Sequence, residues 1–128
     1  ITVSRAMQPM IMKEWVKPGT HLSCLGSDMD GKQELDPNVL VGAKIYTDDK
    51  KQCIRVGEIE LALKSGVITE DAIVGEFGDL LCGNVVGREN DQETTMFDAT
   101  GLYILDLVAA KVAITKAKEA GMGLEVEM

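Results

Sequence analysis

Four short runs of apolar or β-branched residues, Ile1–Val3, His21–Leu25, Ile45–Thr47 and Thr94–Phe97, are separated by helical or looping stretches and not by tight hairpin turns. Antiparallel strands can follow one another through two-residue turns, but parallel strands need a longer crossover, usually a helix. The order strand, loop, helix, strand, helix, strand, long helix therefore places the chain in the α/β class, as a parallel sheet with helices on its faces. About three or four strands in 128 residues make a half-sized sheet.

Turn and cap residues divide the chain further. Pro18-Gly19 is a turn signal ahead of the His21 run, and Gly26 closes that run. Ser27–Gln33, with Asp28, Asp30, Gly31 and Lys32, reads as a polar loop directly after a strand. Asp36 followed by Pro37 has the pattern of an N-cap and a first-position proline, opening a short helix that ends before Lys44. Asp48 or Asp49 can cap a helix from near Lys50; Gly57 interrupts it, Glu58–Lys64 resumes it and Gly66 sits at a C-cap position. The helical period of Ile73, Glu76, Phe77, Leu80 and Leu81 predicts a helix from Thr69 to about Cys82, stopped by Gly83. Residues 84–93 are polar. A long helix is expected over Leu102–Ala120, with Leu107, Ala110, Ile114 and Ala117 along one face and Gly121 as terminator. The tail, Leu124–Met128, alternates apolar and acidic residues and reads as a strand.

Composition excludes several classes. Hydrophobic residues at 45% and charged residues at 27% are ordinary for a folded domain, so disorder is a poor reading. No apolar run approaches the roughly 20 residues of a membrane span, and no basic-then-apolar start suggests a secretory leader. The net charge of −8 comes without a basic patch, which argues against nucleic acid as a partner. Cys24, Cys53 and Cys82 are too far apart for a metal-ligand motif, and with a single histidine they argue against structural zinc. An odd cysteine count fits a reducing compartment, hence a cytoplasmic protein. The chain opens inside a strand and without methionine, so a preceding part is expected.

Two places carry chemistry. Ligands of open α/β sheets sit outside the carboxyl ends of the strands. Gly26-Ser27-Asp28-Met29-Asp30-Gly31-Lys32 lies there, with a carboxylate and an amine able to do acid/base work or hold a charged ligand; the same residues are also simple turn formers. Phe97-Asp98-Ala99-Thr100-Gly101 joins a strand to the long helix. It offers a hydroxyl and backbone N–H groups to a polar ligand, or else Asp98 or Thr100 is an ordinary helix cap. His21 reads as a structural strand histidine and Cys24 as core. No GxGxxG, P-loop, HExxH or Ser-His-Asp set is present.

Four stretches together form a specific pattern: Glu14-Trp15-Val16-Lys17-Pro18-Gly19-Thr20-His21; Gly26-Ser27-Asp28 to Gly31-Lys32, followed by Glu34-Leu35-Asp36; Gly57-Glu58-Ile59 with Gly66-Val67-Ile68; and Gly87-Arg88-Glu89 with Thr94 to Gly101. Their order resembles the ornithine cyclodeaminase/mu-crystallin family, which includes archaeal-type alanine dehydrogenases and ketimine reductases. The second stretch is similar to that family's Gly-x-Asp-x-x-Gly-Lys signature. The resemblance implies the later part of a Rossmann-type parallel sheet plus helices returning to a substrate and dimerisation domain. Residues 1–101 would be a partial dinucleotide-binding domain, and 102–128 the long helix and tail returning to the substrate domain. The dinucleotide fingerprint, the family's catalytic lysine and its carboxylate-binding arginines would lie upstream.

The resemblance further implies an NAD(P)-dependent oxidoreductase or cyclodeaminase acting on a small amino acid, homodimeric and active only with the front part of the enzyme. Asp28 matches the family's proposed acid/base aspartate beside nicotinamide and substrate. Thr2, Ser4, Leu25, Gly26, Ser27, Lys32, Ala99 and Gly101 match its cofactor strip, and Thr100 a position that contacts substrate in some members. Three residues depart from the pattern: Ala99 replaces a common serine, Asp30 a common proline, and Ser27 a common alanine or glycine. Two other readings stand beside this one: a non-enzymatic NADPH and small-ligand binding protein of the mu-crystallin type, and an inactive truncated fragment.

Overall fold

In the computed structural model, residues 1–124 and 126 are described. Among them the elements run β1 (Met7–Ile11), β2 (His21–Cys24), β3 (Gln33–Leu35), β4 (Lys44–Thr47), α1 (Lys50–Val56), α2 (Glu60–Lys64), β5 (Ile73–Glu76), α3 (Phe77–Cys82), β6 (Thr95–Asp98) and α4 (Tyr103–Glu119). Single turns of 3-10 helix occupy Lys13–Trp15, Pro37–Leu40 and Glu70–Ala72.

The main sheet has the order β2-β6-β4-β5 and is parallel throughout. The strand latest in sequence is therefore inserted between two earlier ones. Cys24 and Thr47 both register with Asp98, so the strands end in line. Thr2 forms a parallel bridge to Cys24 on the outer edge of β2. A second, two-stranded parallel sheet pairs β1 with β3.

Strand alternation separates the two faces. Leu22, Cys24, Ile45, Ile73 and Met96 form one core cluster with Val39, Leu40, Cys53, Ile59 and Ala62. Full burial of each large side chain contributes about 1.5–3 kcal/mol. The other face carries His21, Ser23, Tyr46, Thr95 and Phe97. The α/β reading, the parallel sheet and the strand positions at 21, 45 and 95 hold, and so do the terminators. Asp36 accepts the Asn38 N–H and Asp49 the Gln52 N–H as caps, while Gly66 and Gly83 take positive φ at helix ends.

Four expectations are corrected. The Ile1–Val3 strand reduces to the single bridge at Thr2. The helix predicted from Thr69 to Cys82 is a 3-10 turn, then β5, then α3. β-Branched Ile73 and Val74 extend because β4 offers an open edge: Ile73 pairs with Ile45, and the ladder takes up main-chain groups. The polar loop after Gly26 leads into a buried strand, β3, which local polarity did not suggest. Asp98 and Thr100 do not cap α4, whose N-cap is Leu102 with no side-chain bond. The long helix α4 is present as expected, and its apolar side chains are uncovered: Leu105, Leu107, Val108 and Ile114 are each more than half exposed. The expected tail strand falls largely on residues outside those described.

Candidate functional site at the carboxyl edge of the sheet

The aligned strand ends bring together segments distant in sequence. The Leu25 N–H donates to the Thr2 carbonyl at 2.9 Å, and the Ala99 N–H donates to the Cys24 carbonyl at 3.0 Å. Thr2, Leu25 and Ala99 thus stand side by side along one edge, with Gly26, Ser27 and Asp28 in the loop above β2. Ser4 joins them: its N–H donates to Glu34 Oε1 at 2.7 Å, and a Cβ on Gly26 would collide with that same carboxylate.

Asp28 is exposed, and Lys32 reaches back one helical turn's spacing to meet it. Lys32 Nζ donates to Asp28 Oδ1 at 2.7 Å and to the Gly26 carbonyl at 3.0 Å. The lysine side chain is only 13% exposed, so the loop is held from its inner side. The structure therefore gathers the two ends of the Gly26–Lys32 motif. Thr100 and Gly101 are tied to another strand end. Asp48 Oδ2 accepts the Gly101 N–H at 2.8 Å, and Gln52 Nε2 donates to Thr100 Oγ1 at 2.9 Å. Gly101 has φ +89, the left-handed region where glycine is favoured.

Beneath the edge lies a set of buried carboxylates that the sequence reading missed. Glu34, Glu58 and Asp98 are almost wholly buried. Glu58 accepts the Ser27 O–H and the N–H groups of Glu34 and Leu35. Asp98 accepts the N–H groups of Glu58 and Ile59, at the start of α2. Burial pushes the Asp98 carboxyl up to about 7, against the pull of those two N–H donors. Burial raises Glu58 as well, opposed by its three donors. The only local sign was acidic residues beside glycine or apolar residues, as in Gly57-Glu58-Ile59.

The residues along this edge fit a dinucleotide. The Thr2 hydroxyl is buried yet makes no hydrogen bond to a nitrogen or oxygen, and it lies on the strip assigned to the cofactor. Ser27, by contrast, turns its hydroxyl inward to Glu58 and is 1% exposed, so its side chain is not offered to a ligand.

A cleft of about 400 Å³ opens elsewhere, on the sheet face opposite the core, lined by His21, Tyr46, Phe77, Leu80, Arg88 and Phe97 among others. None of the residues singled out in the sequence for cofactor or substrate lines it. His21 Nδ1 lies 2.8 Å from Thr95 Oγ1, which also accepts from Arg88 at 3.0 Å. Burial, with the Arg88 guanidinium, pushes the imidazole below its ordinary range. Cys24 is buried and its thiol is pushed strongly upward by burial, as expected of a core cysteine. Among the described residues no group of three or more His, Cys, Asp or Glu is arranged to hold a metal, and no helix is long and apolar enough to cross a membrane.

Comparison with known proteins gives a consistent picture. Residues 1–121 match the ornithine cyclodeaminase/mu-crystallin family. The chain is 39% identical over 127 residues to the alanine dehydrogenase of Archaeoglobus fulgidus, covering 99% of this chain and 39% of that protein. It is similar to the iminosuccinate reductase of Paracoccus denitrificans, solved in complex with NAD+, with a TM-score of 0.88 and 40% identity over 98% of this chain and 38% of the other. The Thermococcus litoralis Delta(1)-pyrroline-2-carboxylate reductase, solved with NADH and L-proline, gives a TM-score of 0.89 at 34% identity, covering 97% of this chain and 39% of the other. The chain thus spans about two-fifths of the length of the relatives it matches.

Proposed function

The chain belongs to the ornithine cyclodeaminase/mu-crystallin family, and from that premise we propose that it supplies the later Rossmann strands of an NAD(P)-dependent amino-acid dehydrogenase or cyclodeaminase. The observation that carries the reading is Asp28: an exposed carboxylate on the loop after β2, steadied by Lys32 and set above the edge shared by Thr2, Leu25 and Ala99. A protein that only bound its ligand would not need a titrating group held there.

In this reading the dinucleotide lies along the carboxyl edge. Main-chain groups of Leu25, Gly26, Ser27, Ala99 and Gly101 contact it, with the Thr2 hydroxyl, Ser4 and Lys32 completing the strip. Bound there, it exchanges a hydride with the substrate carbon that carries nitrogen. Asp28 takes a proton from, or gives one to, the substrate nitrogen or an attacking water as that carbon changes oxidation level. Lys32 keeps the carboxylate over the edge, and the Gly101 turn, tied to Asp48, closes the other side. Thr100 beside the substrate favours a small or polar side chain over a bulky apolar one, by about 1–2 kcal/mol. The substrate is a small amino acid, with ornithine close behind alanine.

In this reading the substrate domain and the dimer contact come from chain outside these residues, in keeping with the two-fifths of the relatives' length that the chain spans. The archaeal alanine dehydrogenase structure is a dimer with bound NAD. We extend the same homodimeric arrangement to the complete protein, with α4 returning to the substrate domain. Amino-acid-dependent formation of NADH or NADPH by the complete protein tests the reading, with alanine, ornithine and lysine compared. Turnover of a small amino acid supports it. Dinucleotide binding with no turnover of any amino acid or imine points to the binding-protein branch, and preference for an aromatic or branched substrate refutes the substrate assignment.

A further inference from the structure

Glu58 grips two loops at once. Its carboxylate is 1% exposed. Oε2 accepts the Ser27 O–H at 2.5 Å and the Glu34 N–H at 3.0 Å, while Oε1 accepts the Glu34 N–H at 2.8 Å and the Leu35 N–H at 2.6 Å. Its own N–H donates to Asp98 Oδ1 at 3.1 Å. Ser27 immediately precedes Asp28, and Asp98 immediately precedes the Ala99–Gly101 turn. Glu34 and Leu35 belong to β3, behind the Asp28 loop. One buried side chain therefore sets the Asp28 loop against β3, and its main chain sets the same residue against the opposite turn.

Burying a carboxylate is costly, and such groups are kept where hydrogen bonds satisfy them. Two of the donors to Glu58 are main-chain groups of β3 and would suffice to hold that strand. The third, the Ser27 hydroxyl, is on the loop and makes the shortest of these contacts, a charge-assisted bond of the strong kind. It serves the loop and not β3.

We propose that Glu58 is a positioning residue for Asp28, acting through the Ser27 hydroxyl to hold the carboxylate in its working place. This rests on the reading of Asp28 as the proton-carrying group. Asp28 has a second hold, Lys32; the two together restrict where its oxygens can go. A misplacement of about 1 Å can cost on the order of 100-fold in turnover where the chemistry depends on orientation.

The test uses the complete protein, with Ser27→Ala and Glu58→Gln made singly, together and each in an Asp28→Asn background, beside Asp28→Asn alone. Ser27→Ala removes the tether and only a hydroxyl, leaving the β3 N–H groups on Glu58, so the fold is retained. Glu58→Gln keeps the size and one oxygen for the β3 N–H groups but loses the charge-assisted bond to Ser27. Each is expected to lower kcat about three- to tenfold, with dinucleotide affinity, read by fluorescence quenching, unchanged. Together they cost no more than either alone, and in an Asp28→Asn background neither costs anything further. Amide hydrogen exchange should quicken at residues 26–28 in Ser27→Ala, while Glu34 and Leu35 keep their protection. Unchanged kcat in Ser27→Ala, or an equal loss with and without Asp28, overturns the positioning role while leaving Asp28 in place. Near-normal turnover of Asp28→Asn itself overturns the reading beneath it, and this proposal with it.

Discussion

Asp98, the last residue of β6, takes the main-chain N–H of Glu58 at 3.1 Å, joining a strand end to the start of a helix 40 residues earlier in the chain. The neighbouring Ile59 N–H goes to its other oxygen at 3.2 Å. Gly57 makes the approach possible, since a Cβ there would collide with the Asp98 carboxylate and with the Cys53 main chain. The bond fixes the height of the Ala99–Gly101 turn relative to the Asp28 loop.

This carboxyl makes stability fall with rising pH. Its folded value, about 7, lies above the ordinary 3.8, so the folded state holds a proton that the unfolded state has lost. The stabilisation is complete below about pH 4 and is lost as pH rises toward 7, at up to about 1.4 kcal/mol per unit. Glu58 is shifted in the same direction. His21 is lowered and acts with the opposite sign below its ordinary range, so the readout is the difference between proteins. Urea midpoints of the parent and of Asp98→Asn, taken at intervals from pH 4.5 to 7.5, should show the parent losing stability relative to the variant as pH rises. Parallel curves would refute the assignment.

Asp28→Asn keeps the size and most of the hydrogen-bonding shape but removes the titrating group. Turnover of the complete protein is expected to fall roughly 10²–10⁴-fold, with dinucleotide affinity little changed because main-chain groups make that contact. Measuring both on one preparation separates roles. A loss below about tenfold leaves Asp28 as a loop former, since asparagine suits the same turns.

Two glycines should respond in opposite directions to alanine. At Gly26 the added methyl meets the Glu34 carboxylate at 2.5 Å, and the expected cost is about 1–3 kcal/mol. At Gly78, inside α3, nothing lies within 4 Å of the added methyl, so the helix should gain about 0.5–1 kcal/mol. Thermal melts of the two variants beside the parent check the pair. Stabilisation by Gly26→Ala would show that the Glu34 carboxylate can move aside.

Apolar side chains around α4 need a cover. Tyr103, Ile104, Leu105, Leu107, Val108, Val112 and Ile114 are all exposed, more than a single-sided helix would leave open. The 128-residue chain produced alone is expected to self-associate, with scattering mass rising above 13.8 kDa as concentration increases. A clean monomer across the range would show that these side chains need no partner.

Much of this was legible from local sequence, because local sequence carries its own energetics. A proline after Asp36, a capping aspartate before Lys50 and glycines after short helices act within a few residues, and each does in the structure what its chemistry dictates. The strands at His21, Ile45 and Thr95 and the loop that follows Gly26 were readable in the same way. Partners far along the chain settled the rest. Residues 73–76 became a strand because β4 had an edge to fill, although their spacing also suits a helix. β6 entered between β2 and β4, which no local pattern encodes. Glu58 and Asp98 could be buried only because main-chain donors from distant segments converge on them, and Glu34 takes the Ser4 N–H from 30 residues away; in sequence all three look like surface acids. The order of elements and their ends come from short-range propensity, whereas register, insertion and the burial of charge come from long-range hydrogen bonds that form only when the sheet is assembled.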